Sequence, residues 1–241
     1  LTMVDRDDLL DGGAEHVGRT VRRLKELRPD ILVETLLGDF GGNADYVDVT
    51  TDAGPDVWAH NIEVVERLQR SIRDVRCSYA RSLGVLARVK ARTPDRITKS
   101  SIMVGIGETP DEVVKTMADL REAGVDLVTI GQYLRPSPKH AAVDRYVEPA
   151  EFEAYRAEAD RLGFMYCASG PLVRSSYKAA EAFVKSILSP GDPARATALL
   201  DERLAEARRA ADAHDGSFRS TAELAAKTAA ELVPASALVR R

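Results

Sequence analysis

The feature that most limits how this chain can fold is an alternation. Short apolar runs take turns with amphipathic helical patterns, and the unit repeats at roughly 30 residues. Residues 31–37, 57–62, 101–106, 127–130 and 164–167 read as strands. Between them Val17, Val21, Leu24 and Leu27, then Tyr79, Leu83, Leu86 and Val89, recur at helical spacing, and residues 113–123 and 151–162 continue the pattern. Thr109-Pro110-Asp111-Glu112 has the form of a capping box with proline at the first helical position. Ile62, Val65, Leu68 and Ile72 mark a further amphipathic helix. One segment reads less simply: residues 46–51 suit a strand by their β-branched content and a helix by the alternation. Residues 1–4 form a β-type run with no lead-in. Repeated strand–helix–strand units predict parallel strands joined by right-handed crossovers.

Composition narrows the function classes. With 34 basic against 38 acidic residues and 44% hydrophobic content, the chain has neither the footprint of a nucleic-acid binder nor that of a disordered segment. No apolar run approaches the length of a bilayer span. Neither nucleic acid nor membrane is expected as a partner. Cys77 and Cys167 are the two cysteines, and their separation matches no paired-thiol or zinc spacing. From about residue 189, alanine, arginine and glutamate dominate. The expected division is a core over 1–188 and a helical extension over 189–241.

In parallel α/β architectures the carboxyl ends of the strands collect functional side chains, because the loops there converge on one face. Those ends carry Asp5, Arg6, Asp7 and Asp8; His60, Asn61 and Glu63; Gly105, Gly107 and Glu108; Gln132, Tyr133 and Arg135; and Ser169, Arg174, Ser175 and Ser176. Each cluster also has a plain structural reading: solvated turn, strand-to-helix junction, buried hydrogen bonder or helix cap. No serine nucleophile elbow, phosphate-binding lysine loop or His-Glu zinc helix occurs.

Read together, the strings are specific. Val4-Asp5-Arg6-Asp7-Asp8-Leu9 with Asp11-Gly12-Gly13-Ala14, His60-Asn61-Ile62-Glu63, and Thr98-Lys99-Ser100 through Met103-Val104-Gly105-Ile106-Gly107-Glu108-Thr109 come first. Gly131-Gln132-Tyr133-Leu134-Arg135-Pro136-Ser137 and Ala168-Ser169-Gly170-Pro171-Leu172-Val173-Arg174-Ser175-Ser176-Tyr177 follow. In order and spacing they resemble lipoyl synthase, a radical S-adenosylmethionine family, over residues 1 to about 188.

The resemblance implies an α/β fold, a partial parallel (β/α) barrel of the radical S-adenosylmethionine type, N-terminally truncated and followed by the helical extension. It implies sulfur insertion at carbons 6 and 8 of a protein-bound octanoyl chain, with S-adenosylmethionine and two 4Fe-4S clusters as cofactors in the complete enzyme. Ser176 corresponds to a serine ligand of the auxiliary cluster, and Arg174 would screen or hold it. Asp5, Arg6 and Asp7 would face the methionine amino group, for which carboxylates are suited. Asn61 and Glu63 would meet the ribose or methionyl part. Met103, Gly105 and Glu108 belong to the segment beside adenine, with Gln132, Tyr133 and Arg135 at the next strand end. Implied partners are an octanoylated lipoyl-carrier domain and an electron donor such as ferredoxin or flavodoxin. The implied compartment is mitochondrial, with the plastid or a bacterial cytoplasm as alternatives.

The departures are equally specific. The family's cysteine triads are absent, and Cys77 and Cys167 fall where it places no cluster ligand. Triads lying upstream of Leu1 account for this with the fewest assumptions, and such a chain is inactive alone. A second reading is a non-catalytic barrel remnant that binds only S-adenosylmethionine or a carrier domain. A third, less compatible with the ordered strings, is an unrelated phosphate-binding barrel enzyme.

Overall fold

The computed structural model describes residues 1–175. The chain divides into two units, Leu1–Leu188 and Ser189–Arg241, and the described residues all belong to the first. Five parallel strands, β1 (Glu34–Leu36), β2 (Val57–Ala59), β3 (Ile97–Val104), β4 (Leu127–Gln132) and β5 (Tyr166–Gly170), lie side by side in chain order. Each connection carries a helix: α2 (Ala44–Asp52), the short α3 (Gln69–Ile72) with α4 (Tyr79–Arg92), α5 (Pro110–Glu122) and α6 (Pro149–Leu162). An additional helix, α1 (Ala14–Leu27), precedes β1. The opening run pairs with the sheet through a single parallel bridge from Thr2 to Leu36.

Strand alternation explains the layers. On one face Trp58, Ile102, Val128, Ile130 and Cys167 meet α4, α5 and α6 through Leu86, Met117 and Phe152 in the main core. On the other, Val57, Ile97 and Leu127 form a separate apolar cluster with Leu32 and Tyr166. The helices therefore cover one face, and the opposite face is the inner wall of a partial barrel.

Local chemistry starts the helices where the pattern places them. Thr109 accepts from the Glu112 amide while the Glu112 side chain returns to the Thr109 amide, the capping box expected. Asp11 accepts from the Gly13 and Glu15 amides at the start of α1, and those bonds hold its carboxyl below the usual range. Residues 46–51 fall within a helix: Asn43 caps it, and Thr50 accepts from the Trp58 indole, so the β-branched residues serve packing between helix and sheet.

One element is corrected. The helical spacing of Ile62, Val65, Leu68 and Ile72 yields only a 3-10 turn at Glu66–Leu68 and the short α3. Glu63 has a left-handed backbone, φ 68°, which a helix cannot contain. Buried Gln69 then donates to the Ile62 and Val64 carbonyls at 3.0 and 2.5 Å, holding the segment as a loop with its apolar residues inward.

Candidate functional site

At the carboxyl end of β1 the chain turns through Asp39 and Phe40, the latter left-handed at φ 48°. A cavity of about 520 Å³ opens between this turn and the opening segment, with Asp5, Arg6, Asp7, Asp39, Asp74 and Arg81 among its lining. Asp39 Oδ1 accepts from the Gly41 amide, but Oδ2 is buried with no hydrogen-bond partner. Its nearest cation is Arg81, 3.8 Å away. Arg6 forms a two-pronged pair with Asp8 at 2.7 and 2.6 Å, and Asp7 is joined to Arg76 at 3.0 Å. Asp8 thus pairs along the chain, outside the cavity lining, and its carboxyl is held low mainly by Arg6.

At β2 the cluster divides. His60 is buried on the helix side, its Nδ1 2.9 Å from the Leu37 carbonyl and its Nε2 2.9 Å from Ser82 Oγ. Burial pushes its pKa down, so it is a neutral structural hydrogen bonder. Asn61 donates to Glu63 Oε1 at 3.1 Å. Glu63 is tied to β3 by its backbone, accepting from Met103 and donating to Ser101. Burial pushes the Glu63 carboxyl up, against smaller opposing effects of Asn61 and Arg73. A half-buried carboxyl with one neutral donor retains capacity to accept from a ligand.

At β3 and β4 most polar groups are already occupied. Buried Glu108 accepts from the Gly105 and Ile106 amides at 2.6 and 2.9 Å. Gly105, φ 93°, faces the Gln132 amide and the Arg145 carbonyl so closely that a Cβ would collide with both. Gln132 donates to the Tyr133 and Arg145 carbonyls and accepts from the Val147 amide. Tyr133 reaches the Ala141 carbonyl at 2.9 Å, and Arg135 the His140 carbonyl at 2.9 Å. These side chains fix the connection over residues 134–148. Met103, half-buried, packs with Val64, Ile106 and Tyr133.

At β5, Ser169 donates to the Phe152 carbonyl on the helix side, and the chain turns back with Val173 bonded to Gly170. The Val173 carbonyl lies where a Cβ on Gly131 would be. Arg174 is exposed and Ser175 half-buried; Ser176 lies outside the described residues.

Among the described residues no three His, Cys, Asp or Glu side chains form a metal-binding group. Cys77 lines the cavity, with its thiol pushed up by burial, and Cys167 is buried, pushed up to about 12. A cluster needs several thiolates in one place, and the two thiols are set apart, one on the cavity and one in the main core, so the described side chains do not fit an iron–sulfur cluster. None of the described helices is long and apolar enough to cross a membrane.

Sequence reasoning passed over two features. Asp39 falls between the strand read at 31–37 and the segment 46–51, in a stretch to which the sequence assigns neither element nor site residue. Lys99, 2% exposed and 2.7 Å from Glu34, lies inside β3. A charged residue in an otherwise buried strand was the available signal.

A partial barrel of parallel strands with polar groups gathered at their carboxyl ends is an enzyme architecture of the ligand-binding α/β class. The relatives then specify it. The whole chain matches 73% of a lipoyl synthase from Sorangium cellulosum at 56% identity. Mitochondrial lipoyl synthases from Eremothecium gossypii and Zygosaccharomyces rouxii match 78% and 80% of it at 55% and 53% identity, across 51% and 50% of their own lengths. The chain belongs to the lipoyl synthase family. It spans about half the length of these yeast relatives. No family model matches. Among solved structures, a radical S-adenosylmethionine methyltransferase from Kitasatospora setae aligns over 52% of this chain and 26% of its own, with a TM-score of 0.39 and 14% identity. A phosphonomutase from Burkholderia cenocepacia aligns over 78% of this chain and 72% of its own, with a TM-score of 0.40 and 20% identity. Neither score bears on function.

Proposed function

We propose that the complete protein is a sulfur-inserting enzyme that converts a protein-bound octanoyl chain to the lipoyl cofactor, using S-adenosylmethionine. The observation that carries this reading is the 56% identity to a lipoyl synthase across the whole chain. The two 4Fe-4S clusters remain implications of the family resemblance, as does Ser176 as a ligand with Arg174 beside it, because the described residues contain no ligand set for a cluster. The work assigned to this chain's own residues is binding and orientation.

The cavity beside β1 suits the methionyl end of S-adenosylmethionine. Asp5, Asp7 and the Asp39 oxygen that lacks a hydrogen bond can accept from an ammonium, and Arg6 or Arg81 can meet a carboxylate. Glu63, oriented by Asn61, suits a ribose hydroxyl. Gln132, Tyr133, Arg135 and Glu108 act indirectly, by holding the loops, while Gly105 and Met103 shape the wall for adenine. An octanoylated carrier domain is the proposed substrate, and a ferredoxin or flavodoxin the proposed electron donor. Of the compartments expected, the mitochondrion is the one that relatives' names state.

The test is an anaerobic reaction of the full-length protein with an octanoyl-lysine carrier, S-adenosylmethionine and a low-potential reductant, read by mass spectrometry. Gain of two sulfur atoms on the carrier is expected. Ligand binding without sulfur gain in protein carrying its full cluster complement would instead establish the non-catalytic remnant.

A further inference from the structure

Just past β2 the backbone of residues 60–64 is held by a closed circuit of side chains. His60 stands at its start, with Nε2 2.9 Å from Ser82 Oγ, and the same hydroxyl oxygen accepts from Arg73 Nη1 at 2.9 Å. That nitrogen also donates to Gln69 Oε1 at 3.2 Å. Gln69 closes the circuit by donating to the Ile62 and Val64 carbonyls, on either side of Glu63. His60, Ser82 and Gln69 are all buried.

The donors and acceptors admit one arrangement. A guanidinium can only donate, so Gln69 turns its oxygen to Arg73 and its amide nitrogen to the loop. Ser82, accepting from Arg73, is left to give its single proton to His60 Nε2, and His60 then donates from Nδ1 to the Leu37 carbonyl. Half-buried Arg73 forms no ion pair among the described residues and makes no hydrogen bond to Glu63; one of its nitrogens serves both arms of the circuit. What the circuit encloses is a strained turn. Glu63 sits at φ 68°, a conformation that a residue other than glycine keeps only where its surroundings over-determine it. A fully satisfied buried network supplies that rigidity. The Arg73 charge also opposes the effect of burial on the Glu63 carboxyl, favouring its charged form.

We infer that Arg73 is a positioning residue for ligand binding: through Gln69 and Ser82 it fixes the Glu63 turn so that the carboxylate meets a ribose hydroxyl. This rests on the reading of Glu63 as the ribose acceptor. The role of Arg73 is to hold another side chain rather than to touch the ligand.

The test uses the full-length protein with its clusters, kept anaerobic, and reads displacement of labelled S-adenosylmethionine by adenosine, by 2′,3′-dideoxyadenosine and by methionine. Wild type should prefer adenosine to the dideoxy compound on the order of ten-fold, the worth of a hydrogen bond to a charged group. Glu63→Leu should abolish that preference. Arg73→Met, which keeps the stem and removes the donors, should cut it to about two-fold, with displacement by methionine unchanged. Arg73→Lys should recover part of the preference, and the double variant Arg73→Met/Glu63→Leu should be no worse than Glu63→Leu alone. Ser82→Ala opens the other arm and should lower the preference in the same sense, which keeps the test decisive if Arg73→Met does not fold. If the folded variants of Arg73 and Ser82 keep the wild-type preference while Glu63→Leu loses it, the inference is overturned and the ribose reading stands. An equal loss of methionine affinity in Arg73→Met overturns it as well, since the effect would then be general. If wild type does not discriminate, the ribose reading of Glu63 itself falls, and Arg73 has nothing to position.

Discussion

The carboxyl ends of β2 and β4 carry polar residues of similar kinds and use them in opposite ways. At β4, Gln132, Tyr133 and Arg135 spend their hydrogen-bonding groups on backbone carbonyls and an amide of the following connection. At β2 and the neighbouring β1 turn, Glu63 has a single neutral donor and Asp39 a buried oxygen with none. A polar residue at a strand end is therefore not yet a ligand contact. What separates the two cases is whether the protein itself has satisfied the group.

The sharpest way to break this contrast is at Gly105. Gly105→Ala places a methyl against Gln132 and Arg145 at a left-handed φ, and should cost about 3 kcal/mol or more in denaturant unfolding. A cost under about 1 kcal/mol would mean that the loop is not held there. Next comes Gln132→Ala, which strands buried backbone partners over residues 134–148. It should lose about 2 kcal/mol, with faster amide exchange in that loop; a loss of S-adenosylmethionine affinity alone would make Gln132 a ligand contact.

His60 provides a test through pH. Its pKa is lowered by burial from 6.5, so the unfolded chain takes up the proton first. Stability should be complete above about pH 6.5 and fall as the pH drops below it. Replacing His60 by Gln should flatten that slope, followed by thermal melts across pH; an unchanged slope would place the titrating group elsewhere.

Glu63 should behave in the reverse sense. Its carboxyl is raised by burial, so the charged form penalises the folded state at neutral pH, and the penalty is relieved as the pH falls through the raised pKa. Glu63→Gln should therefore leave the protein as stable or slightly more stable near pH 7, with the gain shrinking in acid, while S-adenosylmethionine affinity falls several-fold. The smallest effect belongs to the exposed Arg88 and Arg92 pairs with Asp48 and Asp52 across α2 and α4. Arg88→Ala should leave melting and binding nearly unchanged.

Much of the fold was legible in the chain because parallel strands buried on the helix side are written as short apolar runs, and helices as a spaced stripe with its own start signals. The Thr109 capping box was readable since both partners lie within one turn. The helix expected from Ile62 to Ile72 failed for a matching reason. Its spacing is shared by a loop whose apolar residues point inward, and the Gln69 bonds that choose the loop are set by local contacts that periodicity does not encode. Asn61, Glu63, Gly105, Gln132 and Arg135 do fall at or just past the carboxyl ends of β2, β3 and β4, but which of them the protein itself already engages was not legible. His60 and Asn61 are adjacent, and one faces a helix while the other joins Glu63.

By itself the sequence determined the parallel alternation, the helix starts and the family, since these depend on near neighbours and on motif order. Only the tertiary structure decided which polar atoms are spent. It joined Lys99 to Glu34 across a strand, left the Thr129 hydroxyl and one Asp39 oxygen without a hydrogen bond, and laid Val173 over Gly131. Hydrogen-bond satisfaction is a property of groups brought together from distant parts of the chain, and no local pattern carries it.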